Sequence, residues 1–226
     1  MLYSEEAVRA NIRNRDGKRV FFLGHGDQLT SGARDYLTRE RIPILPAEQA
    51  KIETYRLLSG GTLDRKPEHL THLAGDILVP KTHPRIRFRG QMDMLEAELL
   101  LCQLACPEPT RGKLEQILQF ARSLIRCDVL EEPVGDEKLC GLTESEIRDR
   151  SHRPQDFYGK PHFMPSVSDG AQILQLNRAR TQARSAELAA AEAFADREGN
   201  PTRTDILMAL NRMSSMLWIL MIELRP

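Results

Sequence analysis

The carboxyl-terminal stretch DILMALNRMSSMLWILMIEL, residues 205–224, constrains the fold more than any other segment. At helical spacing it is apolar almost all round, so a helix here has no face to offer to water. Such a helix belongs inside a bundle or between subunits. Its longest uninterrupted apolar run, Met216 to Ile222, is far short of a bilayer's thickness, so no membrane span is expected. Asn211, Ser214 and Ser215 interrupt the pattern, and Asn211 falls in a row with Leu207, Ser215 and Trp218. A buried amide must find partners for its donors and its acceptor. Asn211 therefore reads either as an inter-helix hydrogen bond that sets register or as an amide that reads a polar ligand such as a ribose or base.

A bundle needs further helices, and the preceding residues supply them. Apolar positions recur at helical spacing from Phe88 to about Cys106, where Pro107 and Pro109 stop the pattern. A second amphipathic stretch runs from Arg111 to about Glu131, and a short acidic one from Thr143 to about Asp149. After a loop rich in His, Pro, Tyr and Gly, a long alanine-rich helix is expected from Gly170 to about Arg197. Gly199-Asn200-Pro201 breaks it, and the last helix follows from about Thr202 to Leu224. Four long helices with short connections describe a helical bundle. An aromatic content of 5% favours aliphatic helix packing over a β-sandwich.

The amino-terminal part reads differently. Arg19-VFFL-Gly24 has the pattern of a short strand, a Gly-His-Gly-Asp turn follows, and a capped helix runs from Thr30 to about Arg41. With IPIL ending at Pro46 this makes a small β-α-β piece. Residues 46 to 70 are charged, contain Ser59-Gly60-Gly61, and read as an exposed linker. The expected division is therefore an appendage and linker over 1–65 and a helical domain over 66–226.

Charge and cysteine usage exclude several classes. Lysine plus arginine and aspartate plus glutamate each total 32, which argues against a general nucleic-acid or polyanion binder. Within that balance arginine far outnumbers lysine, and arginine is the residue for bidentate grips on phosphate and carboxylate. The first twenty residues hold no continuous apolar stretch, so no signal peptide is expected. Cys102, Cys106, Cys127 and Cys140 show no zinc-ribbon spacing and read as reduced thiols of a cytoplasmic protein.

Two clusters carry chemistry. Arg180, Arg184 and Glu187 lie four and seven residues apart on the alanine-rich helix, within about 60° of one another and in line with Ile173, Ala191 and Phe194. Charges in line with apolar residues are either ion pairs across helices or a site for an anionic ligand. The second cluster is Leu70-THLAG-Asp76 followed by Lys81-THPRIRFRGQM-Asp93, a loop running into a helix with a lysine and three arginines. A helix N-terminus offers free N–H groups and a positive dipole end, which suits phosphates, while ordinary capping explains the same residues. No GxxxxGK[ST] pattern occurs, so a P-loop nucleotidase is not expected.

Three separated blocks resemble the ATP:cob(I)alamin (corrinoid) adenosyltransferases, in particular the ethanolamine-utilization branch and more distantly the propanediol-utilization branch. The first is Leu70-T-H-L with K-T-H-P-R at 81–85 and Asp93 eight residues after the arginine. The second is R-x-D-x-x-x-E-P from Arg126 to Pro133, with G-L-T-E-S-E and then S-H-R-P at 151–154. The third is R-x-x-x-R-x-x-E at Arg180, Arg184 and Glu187, then D-I-L-x-A-L-N-R-x-S-S from Asp205. Gln28-L-T-S-G-A-R-D-Y-L also resembles a short module that precedes several ethanolamine-utilization proteins.

The resemblance implies an all-α fold, a five-helix bundle bearing the small β-α-β appendage. It also implies assembly as a homotrimer, with ATP and the corrinoid at each subunit interface. Thr71, Lys81 and Arg85 become candidates for the triphosphate, and Arg184, Glu187 and Asn211 for the nucleotide. Arg180 with Asp93 becomes the interface ion pair that shapes the site, and Phe163 with Met164 the corrinoid-facing pair. The implied reaction moves the 5′-deoxyadenosyl group of ATP, carried with Mg²⁺, to Co(I) of cobalamin. A reductase or other electron donor is implied as partner, and a bacterial microcompartment as a location within the cytoplasm.

Two departures from the family pattern stand out. The ethanolamine branch often has a His and Cys cluster before the THL block, whereas residues 46–68 contain neither residue, so no protein-bound transition metal is expected. The longer Gly/Thr-rich phosphate loop of the propanediol branch is here reduced to THLAGD. Cys102 with Cys106 reads as core, and His69 and His72 near Asp76 as surface or phosphate-side groups. The competing readings are a non-catalytic bundle that binds finished adenosylcobalamin as carrier or regulatory subunit, and a trimeric structural bundle.

Overall fold

The structure is a computed structural model that describes residues 1–15, 18–47, 55–63, 65–136 and 138–225. It divides into two compact units, one of Met1–Lys81 with Asp128–Glu132, the other of Thr82–Cys127 with Pro133–Pro226.

The first unit begins with β1 (Leu2–Tyr3), α1 (Glu5–Ala10), β2 (Arg13–Arg15), β3 (Lys18–Leu23), β4 (Gln28–Leu29), α2 (Ser31–Arg39) and β5 (Ile44–Pro46). β3 pairs antiparallel with β2 and parallel with β5, with α2 lying between the parallel strands in sequence. Thr30 caps α2 by accepting from the Ala33 N–H at 3.2 Å. Val8, Phe21, Ala33, Tyr36 and Leu37 form a small core around these elements.

The expectation of a linker over 46–70 does not hold for its described residues, and its residues 48–54 and 64 lie outside the described residues. β6 (Tyr55–Leu57) and β7 (Thr62–Leu63) form a hairpin whose turn places Gly60 and Gly61 at φ 97° and 90°, a region costly for other residues. β8 (Leu70–Ala74) and β9 (Ile77–Pro80) form a second hairpin, so THLAGD is strand and turn rather than loop. The sheet order is β7-β6-β9-β8. Gly75 sits at φ 54°, and a Cβ there would meet the Asn14 carbonyl at 2.9 Å. These strands correct the all-α expectation: the chain is predominantly helical and carries small sheets in its first 80 residues.

The second unit is helical: α3 (Pro84–Ala105), α4 (Thr110–Leu130, grouped with the first unit from Asp128), α5 (Glu144–His152), α6 (Pro154–Tyr158), α7 (Gly170–Ala193) and α8 (Thr204–Leu224). α7 packs against both α3 and α8 through Ala179, Ala183, Ala186 and Ala190, each fully buried. Side chains this small let the neighbouring helices approach closely. Arg178 pairs with Glu98 at 2.7 Å and Arg87 with Glu192 at 2.9 Å, tying the rims of α3 and α7 together.

α7 ends at Ala193, four residues before the expected Arg197, because the next carbonyl is taken by another segment. The Phe194 carbonyl accepts from the Thr202 N–H and hydroxyl, each at 2.7 Å. The Asp196 carboxylate accepts from the N–H groups of Glu198 and Asn200, closing the turn.

α8 carries eleven buried residues, among them Ile206, Leu210, Met213, Leu217 and Leu220. By length and apolarity alone Thr204–Leu224 is able to cross a bilayer. Its packing against α5, α6 and α7 accounts for that apolarity.

Candidate functional site

α7 and α8 run antiparallel, which brings the two polar interruptions of an apolar surface to the same level. Glu187 Oε1 accepts from Asn211 Nδ2 at 3.0 Å, and Arg212 Nη2 donates to Asn211 Oδ1. The amide is thereby oriented, its nitrogen toward Glu187 and its oxygen toward Arg212. Arg212 lies 3.9 Å from Glu144 at the start of α5, so the chain of charges continues across the bundle. This is the inter-helix hydrogen bond that the spacing allowed for Asn211, and the amide remains half-buried.

Two turns along α7, Arg180 donates from Nε and Nη2 to Asn177 Oδ1 at 3.1 and 2.9 Å. Its guanidinium lies 5.8 Å from the centre of the Trp218 ring. Burial, and secondly the charge of Arg184, push the Arg180 pKa below its ordinary value. Arg184 between them is exposed and makes no hydrogen bond or ion pair among the described residues. From Glu187 to Arg180 the strip spans about 10 Å of helix. It is amide and carboxylate at one end, aromatic at the other.

The aromatic end is built by a loop. Phe163 stacks on Trp218 with centroids 4.8 Å apart at 22°, and His162 lies 5.9 Å from the same ring at 12°. Met164 beside them is 89% exposed. Of the corrinoid-facing candidates, Phe163 therefore rests on the protein while Met164 points into the open.

The remaining candidates lie elsewhere. Asp93 is exposed on α3 and, among the described residues, makes no ion pair, so within one chain it is not joined to Arg180. The Arg85 guanidinium lies 5.8 Å from the Phe194 ring centre. Phe194 is ten residues beyond Arg184, roughly 15 Å of helix, so Arg85 stands well away from Arg184 along the bundle. Thr71 and Lys81 belong to the first unit. Thr71 sits on β8 opposite Val79, and Lys81 Nζ donates to Glu68 at 3.0 Å. That contact, above all, holds the Glu68 carboxyl below its ordinary pKa.

Among the described residues no three His, Cys, Asp or Glu side chains gather as a metal site. Asp76 is engaged by both Nε and Nη2 of Arg56 at 2.7 Å, and His72 Nδ1 lies 3.0 Å from the Gly75 carbonyl. Cys102 and Cys106 are buried, and burial, chiefly, pushes the Cys102 thiol up to about 12, so it stays protonated.

Sequence reasoning passed over Arg212, His162, Lys160 and Arg225. Trp218 was in view as a member of the Asn211 row, but its stacking partners lie in a loop whose path no periodicity reveals.

A family profile described as cobalamin adenosyltransferase matches residues 62–224. A corrinoid adenosyltransferase EutT of Salmonella typhimurium is 36% identical over 242 aligned residues, spanning 97% of this chain and 90% of that protein. A corrinoid adenosyltransferase EutT of Escherichia coli K12 is 35% identical over 158 residues, 70% of this chain and 59% of that protein.

Proposed function

The chain belongs to the cobalamin adenosyltransferase family, and we propose that it transfers the 5′-deoxyadenosyl group of ATP to Co(I) of cobalamin, releasing triphosphate and giving adenosylcobalamin. The observation that carries this reading is the strip on α7 and α8. An amide oriented by Glu187 and Arg212 stands in line with the exposed Arg184, which makes no hydrogen bond or ion pair among the described residues, and with an aromatic platform at Trp218 and Phe163.

In this reaction the Co(I) lone pair attacks the ribose 5′ carbon, a cobalt–carbon bond forms, and the carbon–oxygen bond to triphosphate breaks. No proton leaves the nucleophile, so no general base is required. The protein's tasks are binding, alignment and charge stabilisation. Asn211 and Glu187 suit the nucleoside, with donors and acceptors already fixed in direction. Arg184, exposed on α7, is available to the developing charge of the departing triphosphate. Thr71, Lys81 and Arg85 are our further candidates for the triphosphate, with Mg²⁺ carried by ATP. Phe163 and Met164 are our candidates for the corrinoid face. Apolar side chains there exclude water and an axial ligand, which makes Co(II) easier to reduce.

Within one chain Arg85 stands by Phe194, away from Arg184, and Asp93 makes no ion pair with Arg180 among the described residues, which supports a site completed between subunits. We accordingly propose a homotrimer with a shared site, a catalytic domain over residues 66–226 in which a five-helix bundle follows the β8–β9 hairpin, and a structural role for 1–65. A reductase or other donor supplies the electron. We place the protein in the cytoplasm, in association with a bacterial microcompartment, and assign it neither nucleic acid nor membrane as partner.

Equilibrium dialysis with ATP, Mg²⁺ and Co(II) cobalamin, which lacks the nucleophilic lone pair and so does not consume ATP, tests the reading. Both substrates are expected to bind at once, each to a saturating site per subunit. Mutual exclusion, or binding of adenosylcobalamin alone, would favour a carrier or regulatory protein.

A further inference from the structure

We propose that Lys160 and Arg225 are positioning residues that clamp residues 159–169 onto the carboxyl end of α8 and so hold Phe163 against Trp218. The inference rests on the reading of Phe163 as corrinoid-facing. The segment leaves α6 through Gly159 at φ 64° and rejoins helix only at a short 3-10 turn, Val167–Asp169. Between those points regular structure does not fix its path, so side chains must.

Lys160 Nζ donates to the carbonyls of Ile222 at 3.2 Å and Glu223 at 3.4 Å, and to that of Arg225. The last turn of a helix leaves its carbonyls without intrahelical partners and forms the negative end of the dipole. An ammonium with three donors answers both conditions. The same Arg225 returns the contact from its side chain. Its guanidinium lies 4.3 Å from the Phe163 ring centre, and its Nε is 3.1 Å from Asp169 Oδ1. Lys160 thus fixes the backbone of Arg225 from the start of the segment, while Arg225 grips the middle and the end. Phe163 is held between the guanidinium and the indole, and the exposed Met164 is carried with it.

Without the clamp the segment loses its register on α8. The platform's aromatic wall moves, whereas Glu187, Asn211 and Arg184 stay on helices that do not depend on it. The effect on turnover therefore falls on the corrinoid and spares ATP.

Trp218 is the chain's single tryptophan, so its fluorescence reports the platform directly. Lys160→Met keeps the aliphatic stem and removes the donors. Trp218 in this variant is expected to be more open to acrylamide quenching without any substrate. The corrinoid KM should rise about tenfold, the equivalent of one lost charge-assisted hydrogen bond, with the ATP KM unchanged. Lys160→Arg should restore both. Arg225→Gln, which keeps the carbonyl that Lys160 grips, is the independent variant and should act in the same direction. Unchanged quenching in both Lys160→Met and Arg225→Gln would overturn the clamp. Increased quenching with an unchanged corrinoid KM would overturn the positioning role. If Phe163→Ala leaves the corrinoid KM unchanged while Lys160→Met raises it, Phe163 is not the corrinoid-facing group and the clamp stands.

Discussion

Asp205→Asn removes a single charge whose worth the structure allows to be worked out. Asp205 Oδ1 accepts from Arg203 Nε at 2.9 Å, and Oδ2 accepts from Arg203 Nη2 at 2.9 Å and from the Val134 N–H at 3.0 Å. The carboxylate thus joins the first turn of α8 to the segment following α4. Arg203, above all, holds its pKa at about 2 against an ordinary 3.8. At ~1.4 kcal/mol per unit, that depression stabilises the folded state by about 2 kcal/mol at neutral pH. For a chain of this size the melting temperature should fall by about 4–8 °C.

The pH dependence has a definite sign. A folded pKa below the unfolded one gives stability that is complete above about pH 4 and lost as pH falls through about 2. Urea unfolding followed by Trp218 fluorescence, which reports the helical unit, should show a constant deficit for the variant between pH 5 and 8. The deficit should close as pH is lowered from about 4 toward 2. A variant within about 0.5 kcal/mol of the parent at pH 7 would refute the reasoning. So would a deficit that persists unchanged to pH 2.

Three further outcomes are expected. Arg184 makes no hydrogen bond or ion pair among the described residues, so Arg184→Ala should leave folding stability and assembly unchanged while activity falls about 100-fold or more. Sedimentation showing dissociation of that variant would make the arginine structural. Ala183 is fully buried where α7 packs on its neighbours, so Ala183→Leu should cost about 1–3 kcal/mol in urea unfolding, and a neutral result would mean the helices are not closely packed there. Replacing Cys102 and Cys106 with alanine should leave turnover unchanged with ATP and no added iron or zinc. Activity lost and then restored by added metal would contradict that.

The helices were legible where termini carry local signals. Pro107 and Pro109 close α3, Thr143 with Glu146 forms the capping box that opens α5, and Gly199-Asn200-Pro201 separates α7 from α8. α7 was read too long because Glu192-Ala-Phe-Ala suits a helix, and its stop comes from Thr202, which is not a helix-ending residue by itself. The sheet of residues 55–80 was not legible. Its strands are two to five residues long, too short for alternation to show, and Gly60-Gly61 resembles a linker as much as a turn.

The site divides in the same way. Arg180, Arg184, Glu187 and Asn211 follow from helical spacing, since residues four and seven apart share a face. The clamp does not. Lys160 and Ile222 stand 62 residues apart, and only the folded chain brings the lysine to the helix end.

The most direct test of the account is to supply the protein with ATP, Mg²⁺ and chemically reduced cobalamin and to follow the corrin absorbance together with the phosphate products. Loss of Co(I) and formation of a light-sensitive cobalt–carbon bond are expected, with one triphosphate released for each adenosylcobalamin formed. Binding of both substrates without formation of that bond would contradict it.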